Sequence, residues 1–213
     1  MINLIMADDH PIFRAGIRHI LQPHGDIKIA AEVENGVDLV DKLRSSNFDI
    51  LVLDMNMPGR NGVDLLRQVR LEAPRLPVLV LSSHKEDLYA VRTIKAGASG
   101  YLCKDFASSD LPEAIRKIAA GGKFITPRVA ELIAMDMSNP VSDMLPHTLL
   151  SNREYQIFLL IVQGAGMTEI ANQLNLSVKT VSTHKVRIKE KMQLSGTPDF
   201  VKYALLHGLV DDR

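Results

Sequence analysis

The first half of the chain is marked by short runs of apolar residues, each followed by a stretch with helical spacing. Asn3-Leu4-Ile5-Met6-Ala7, Ile50-Leu51-Val52-Leu53, Val78-Leu79-Val80-Leu81 and Tyr101-Leu102-Cys103 are too continuous for a half-exposed strand and read as strands buried on both faces. Residues 27–33 make a fifth strand. Between them, apolar residues recur every three or four positions over 11–21, 37–43, 63–69, 87–96 and 110–120, with Pro11 in the first turn of the first helix. Strand and helix alternating five times predict an α/β fold, a five-stranded parallel (βα)5 sheet covered on both sides.

The pattern changes after Gly121-Gly122. Residues 127–134 predict a short helix, but 135–143 carry neither period, so 123–146 reads as an interdomain linker. Ser151 with Glu154 forms a capping box ahead of an apolar-faced helix that stops at Gly164. A short helix over 168–174, a tight turn at Asn175-Leu176-Ser177 and a third helix over 178–192 follow, spaced as a helix-turn-helix. Thr197-Pro198 opens a last helix that ends near His207-Gly208. The domains expected are thus 1–122, a linker at 123–146, and a small all-α unit at 147–213.

Composition changes this picture little. Lys plus Arg and Asp plus Glu number 25 each, so net charge says nothing about a nucleic-acid partner and local charge must decide. No apolar run has the length of a membrane span, and a single cysteine fits a reducing compartment; a cytoplasmic protein with no membrane partner is expected.

Chemistry concentrates where the strands end. The first strand runs into Asp8-Asp9, the central one into Asp54, the next into Ser82-Ser83 and the last into Lys104. In a doubly wound sheet these ends open onto one crevice. Three carboxylates brought together repel one another unless a cation joins them, and hard oxygen donors suit magnesium (Mg2+). With a hydroxyl and an ammonium added, the set describes phosphoryl transfer in which Asp54 is the nucleophile. Asp54 alone would read as a turn cap, and Tyr101 on its own as core packing. His10 reads as a solvated rim residue, Cys103 as a buried inert thiol, and the nine methionines as filler.

Asp8-Asp9, Asp54 with Met57-Pro58-Gly59, Ser82 and Tyr101-Leu102-Cys103-Lys104 together resemble the receiver domain of two-component response regulators. The resemblance implies that Asp54 accepts a phosphoryl group from a sensor histidine kinase. It further implies that Asp9 binds magnesium directly and Asp8 through water, with Asp54 and the backbone carbonyl of Asn56 as the other protein ligands. Ser82 and Lys104 would hold the phosphoryl oxygens, and Tyr101 would swing into the space that Ser82 leaves.

The third helix of the second unit carries Lys179, Lys185, Arg187, Lys189 and Lys191 against Glu190 alone. Val181, Ile188, Met192 and His184 share one side, which reads as the core side, whereas Ser182, Thr183 and Val186 fall within a narrow opposite sector. Short polar and apolar side chains there can approach base edges, with Lys179, Lys185 and Lys189 at the groove walls for phosphates and Arg187 beside them. Leu150-Ser151-Asn152-Arg153-Glu154, Glu169-Ile170-Ala171, Leu176 to Val181 and His184 resemble the LuxR-type DNA-binding domain, and the whole chain resembles a NarL/FixJ-type response regulator. Met167-Thr168 stands where many members carry a polar pair. What the resemblance implies is double-stranded DNA with an inverted-repeat operator as target, a homodimer as active state and RNA polymerase as a further partner. Three other readings compete: a phosphorylation-independent regulator, a ligand-gated one, and an aspartyl-phosphate phosphatase. Against the last, Asn56 stands two residues after Asp54, where a general acid is needed, and an amide cannot supply the proton.

Overall fold

The computed structural model describes residues 1–55, 57, 62–82, 88–138 and 145–210. Two compact units, Met1–Asp136 and Met137–Arg213, divide the chain. In the first, β1 (Ile2–Ala7), α1 (Pro11–Leu21), β2 (Ile27–Val33), α2 (Gly36–Ser45), β3 (Ile50–Asp54), α3 (Gly62–Glu72), β4 (Val78–Ser82), α4 (Leu88–Lys95), β5 (Gly100–Cys103) and α5 (Ala107–Ala119) alternate as the apolar pattern predicts. All strands pair in parallel, in the order β2-β1-β3-β4-β5.

Successive side chains on a strand face opposite sides, and the two sides have different partners. Leu4, Met6, Ile50, Val52, Leu79, Leu81 and Leu102 form one cluster with Ile17 and Leu21 of α1 and Leu111, Ile115 and Ile118 of α5. The intervening Ile5, Leu51, Leu53, Val80 and Tyr101 are equally buried on the face covered by α2, α3 and α4. Removing each such side chain from water contributes about 1.5–3 kcal/mol, which is why β3 and β4 contain no polar residue until their last position. That order places β1 and β3 side by side while their connections leave in opposite directions, so the crevice opens where Asp8 and Asp54 stand.

Helix ends differ from the sequence expectation where capping was overlooked. The α2 helix begins at Gly36 because the Asn35 side chain accepts hydrogen bonds from the backbone N–H groups of Val37 and Asp38. The first turn of α3 lies against the segment that follows Asp54: a Cβ on Gly62 would stand 2.6 Å from the Met55 carbonyl oxygen and 2.8 Å from its Cα, which only glycine avoids. Beyond Gly122 the chain stays on the sheet. Phe124 accepts a hydrogen bond from the Tyr101 N–H at 3.1 Å and donates its own N–H to Ser99 at 3.0 Å. A helix α6 (Pro127–Ser138) follows, with Val129 buried. Aperiodic positions 135–138 therefore continue the helix rather than end it; Met135 and Met137 are good helix formers, and no Gly or Pro interrupts the run. Residues 139–144 of the expected linker lie outside the described residues.

The second unit consists of a short 3-10 turn at Pro146–Leu149 and the helices α7 (Asn152–Val162), α8 (Met167–Gln173), α9 (Val178–Met192) and α10 (Thr197–Leu206). Tyr155, Phe158 and Phe200 fill its centre, the Phe158 and Phe200 rings meeting nearly edge to face at 5.6 Å. His147 is drawn inward by a 2.7 Å hydrogen bond between its Nδ1 and the Tyr203 hydroxyl. The α8–α9 turn depends on Asn175 in the left-handed region, φ +52, and on Ser177, whose Oγ accepts the Thr180 N–H at 3.0 Å. Gln193, also left-handed, ends α9.

One buried carboxylate ties α7 to α9. Glu154 completes the capping box by accepting the Ser151 N–H at 2.7 Å, and the same Oε2 lies 2.6 Å from Lys191 Nζ. Burial pushes this carboxyl up, but Lys191 and Ser151 outweigh burial and hold it below the usual glutamate range. A depressed folded-state value means that the stabilisation is fully present above the unfolded value and is lost as pH falls through the folded one. Glu154→Gln should destabilise the second unit on the order of 1 kcal/mol at neutral pH and flatten its acid-side loss. Chemical denaturation repeated from pH 7 down to about 3 checks both; equal pH profiles for the two proteins would mean that Glu154 is only a cap.

Candidate functional site

Each functional side chain of the crevice follows directly from a strand end. The register sets Ala7 opposite Leu53, Asp54 opposite Leu81 and Ser82 opposite Cys103, so the residues at or just past these pairs share one rim. Asp8, Asp54 and Ser82 are almost wholly buried, whereas Asp9 is partly exposed. Lys104, in a 3-10 turn after β5, places Nζ 2.8 Å from Asp8 Oδ2 and 3.0 Å from Asp54 Oδ2. Asp8, Asp9, His10 and Asp54 each offer a ligand atom, all within 4.8 Å of one another. The acidic cluster is compatible with metal binding. Three carboxylates against one ammonium leave a negative excess in a place largely closed to water, which suits a hard cation.

The structure brings together four of the residues expected here, Asp8, Asp9, Asp54 and Lys104, and sets Ser82 at the adjacent strand end. Tyr101 is fully buried, on the face of β5 that α4 covers. Asn56 lies outside the described residues. Three neighbours escaped the sequence reading. His10, expected on a solvated rim, has Nδ1 2.9 Å from Asp9 Oδ1, 3.3 Å from Asp8 Oδ1 and 3.6 Å from Asp54 Oδ2. Its side chain is 60% exposed, so the rim position holds while the inward nitrogen does not fit a merely solvated residue. Phe13 lies under the Lys104 ammonium, 4.2 Å from ring centroid to Nζ. Arg14 donates to the Asp8 carbonyl at 2.7 Å and pairs with Glu34, fixing the β1–α1 turn from below. The only sequence signal for Phe13 and Arg14 was their position in the first turn of a helix that starts beside the acids.

In the second unit α9 divides as its spacing predicts. Val181, Ile188 and Met192 are buried, whereas Lys179, Ser182, Thr183, Val186 and Arg187 are exposed and Lys185 and Lys189 half-buried. Val186 exposes 53% of its surface in the middle of this polar sector. The Thr183 hydroxyl donates to the Lys179 carbonyl at 3.0 Å, which leaves its oxygen free to accept but occupies its proton. His184 faces inward, and burial holds its imidazole below the usual histidine range. Lys191 stands on the His184 side of the helix, where it pairs with Glu154, so the positive charge around the exposed sector is carried by the other four cations.

Comparison with known proteins assigns a family to each unit. The model of the response regulator receiver domain matches residues 4–116, and that of bacterial regulatory proteins of the luxR family matches residues 148–204. Response regulator UvrY of Escherichia coli (strain K12) is 35% identical over 98% of this chain and 96% of its own length. Response regulator GacA of Pseudomonas aeruginosa is 32% identical over 99% of each. Among solved structures, RcsB from Salmonella enterica serovar Typhimurium, bound to promoter rprA in the presence of phosphomimetic BeF3-, is 27% identical, with a TM-score of 0.65 over 95% of this chain and 98% of that one. The chain belongs to the response regulators, of the NarL/FixJ type, that join a receiver domain to a LuxR-type DNA-binding domain and regulate transcription.

Proposed function

We propose that Asp54 is the phosphoacceptor of this regulator and that its phosphorylation controls DNA binding by α9. The observation that carries the reading is the Lys104 ammonium at 3.0 Å from Asp54 and 2.8 Å from Asp8. In the transfer the Asp54 carboxylate oxygen forms a bond to phosphorus as the phosphorus–nitrogen bond of a kinase phosphohistidine breaks. The imidazole leaves with the electron pair. Lys104 offsets the charge on the phosphoryl oxygens, and the Ser82 hydroxyl donates to one of them. Magnesium, which Asp8, Asp9, Asp54 and the carbonyl of Asn56 would hold, supplies further positive charge at those oxygens. Drawing Ser82 inward would vacate space beside β5 for Tyr101 to enter, a reading that the burial of Tyr101 on the neighbouring strand supports. The proposed division is a receiver at 1–122, a connecting segment at 123–146 and a DNA-binding unit at 147–213. A sensor histidine kinase, an inverted-repeat operator, a homodimer and RNA polymerase are the proposed partners, and the cytoplasm, where such DNA lies, the proposed location.

On DNA, Ser182, Thr183 and Val186 would read bases, while Lys179, Lys185, Arg187 and Lys189 would meet phosphates. Since its proton is occupied within the helix, Thr183 is suited to accept from an exocyclic amino group of adenine or cytosine, and Val186 to meet a thymine methyl.

Incubation with acetyl phosphate and magnesium should add one phosphoryl mass to the wild type and none to Asp54→Asn, as read by intact-mass spectrometry. Equal labelling of the variant would place the acceptor elsewhere. Replacing Lys185 or Lys189 by Ala should weaken binding to specific and random duplexes alike and lower the salt slope by about 0.9 for each phosphate that is no longer neutralised. Replacing Thr183 or Val186 should leave the slope unchanged and cost about 1–3 kcal/mol only on the specific duplex. Salt titrations on both duplexes check this division; a Thr183→Ala variant weakened equally on both would remove that residue from base reading.

A further inference from the structure

The crevice contains one donor that an all-oxygen magnesium site does not require. His10 precedes α1, and its backbone N–H donates to Asp8 Oδ1 at 2.7 Å, closing a tight turn, while Pro11 fixes the next residue as the first of the helix. These two constraints turn the imidazole back over the acids. Burial does not force it there, since the side chain is 60% exposed and open water is available to it. Nδ1 nevertheless lies 2.9, 3.3 and 3.6 Å from oxygens of Asp9, Asp8 and Asp54. Neighbouring donors around a six-coordinate ion with bonds of about 2.1 Å stand about 3 Å apart, so Nδ1 already sits at ligand-to-ligand distance from the carboxylates.

We propose that His10 Nδ1 is a nitrogen donor to the cation held by Asp8, Asp9 and Asp54, so that the crevice favours a d-block divalent ion such as manganese over magnesium. This rests on the reading that the acids hold a cation. Imidazole suits iron, nickel, copper and zinc best; manganese, at the weak end of that series, still takes a nitrogen donor more readily than magnesium, which keeps to carboxylate and water oxygen and gives up its hydration reluctantly. Carboxylates alone already prefer manganese somewhat, so the assignment concerns the part of the selectivity that depends on His10.

The test uses the full chain with manganese and magnesium salts alone as probes. Calorimetry should give a manganese preference that falls roughly tenfold in His10→Ala and in His10→Asn, the lower end of what losing a partner around a metal costs. Pulsed electron paramagnetic resonance of bound manganese should show a directly coordinated nitrogen in the wild type and none in either variant. An unchanged preference, or no coordinated nitrogen in the wild type, would overturn the proposal and leave His10 as a hydrogen-bond partner of the acids. Should the wild type bind neither ion, the cation reading of the acidic cluster falls as well. Acetyl phosphate labelling of the wild type with and without magnesium separates the two failures, because Asp54 should still gain a magnesium-dependent phosphoryl mass when only the His10 role is wrong.

Discussion

The ammonium of Lys104, shared between Asp8 and Asp54, is the interaction around which the first unit is organised. Parallel pairing brings the ends of β1 and β3 together and therefore brings their acids together, and like charges at this spacing resist burial. Lys104 can answer them only because β5 ends two strands away with its last pair, Ser82 opposite Cys103, level with the acids. The same register delivers Ser82. Apolar burial on both faces of the sheet thus holds a charged group of residues in a geometry that it would not adopt in water.

The α/β order, all five strands and the membership of the acidic site were legible because each rests on a local signal: a continuous apolar run, or a charged residue that ends one. His10, Phe13 and Arg14 were not. Their roles depend on the direction in which α1 leaves the crevice, which is set by the Asp8 turn and by the pairing of Arg14 with Glu34 on a different strand end. No periodicity encodes that. The helix over 36–45 shows the same limit on a smaller scale, since its start is decided by the side chain of Asn35, which lies outside the apolar pattern. In the stretch around 123–138 the helix from Pro127 was legible, but the attachment of Phe124 was not, for the opposite reason. Phe124 is held by backbone bonds to β5, and backbone bonds leave little trace in side-chain spacing.

In the second unit, the face of α9 that meets solvent is fixed by Val181, Ile188 and Met192 beneath it and by Glu154, which fastens the far end of the helix to α7. Sequence spacing identified the exposed sector but not the pairing of Lys191 with Glu154, nor the internal bond that occupies the Thr183 proton. Both follow from bonds made to the preceding turn of the same helix or to a neighbouring helix. They matter because a recognition surface is defined by the charges and donors still available after the fold has used its own.

The central claim is that three carboxylates exceed what Lys104 neutralises, leaving a crevice set to take up positive charge and then a phosphoryl group. Thermal unfolding of the receiver unit, in wild type and Asp54→Asn, with and without magnesium, tests it most directly. Without divalent ions the variant should unfold at a higher temperature, because one of the mutually repelling charges is gone, and added magnesium should stabilise the wild type more than the variant. A variant that unfolds earlier without divalent ions, and gains as much from magnesium as the wild type does, would contradict the account.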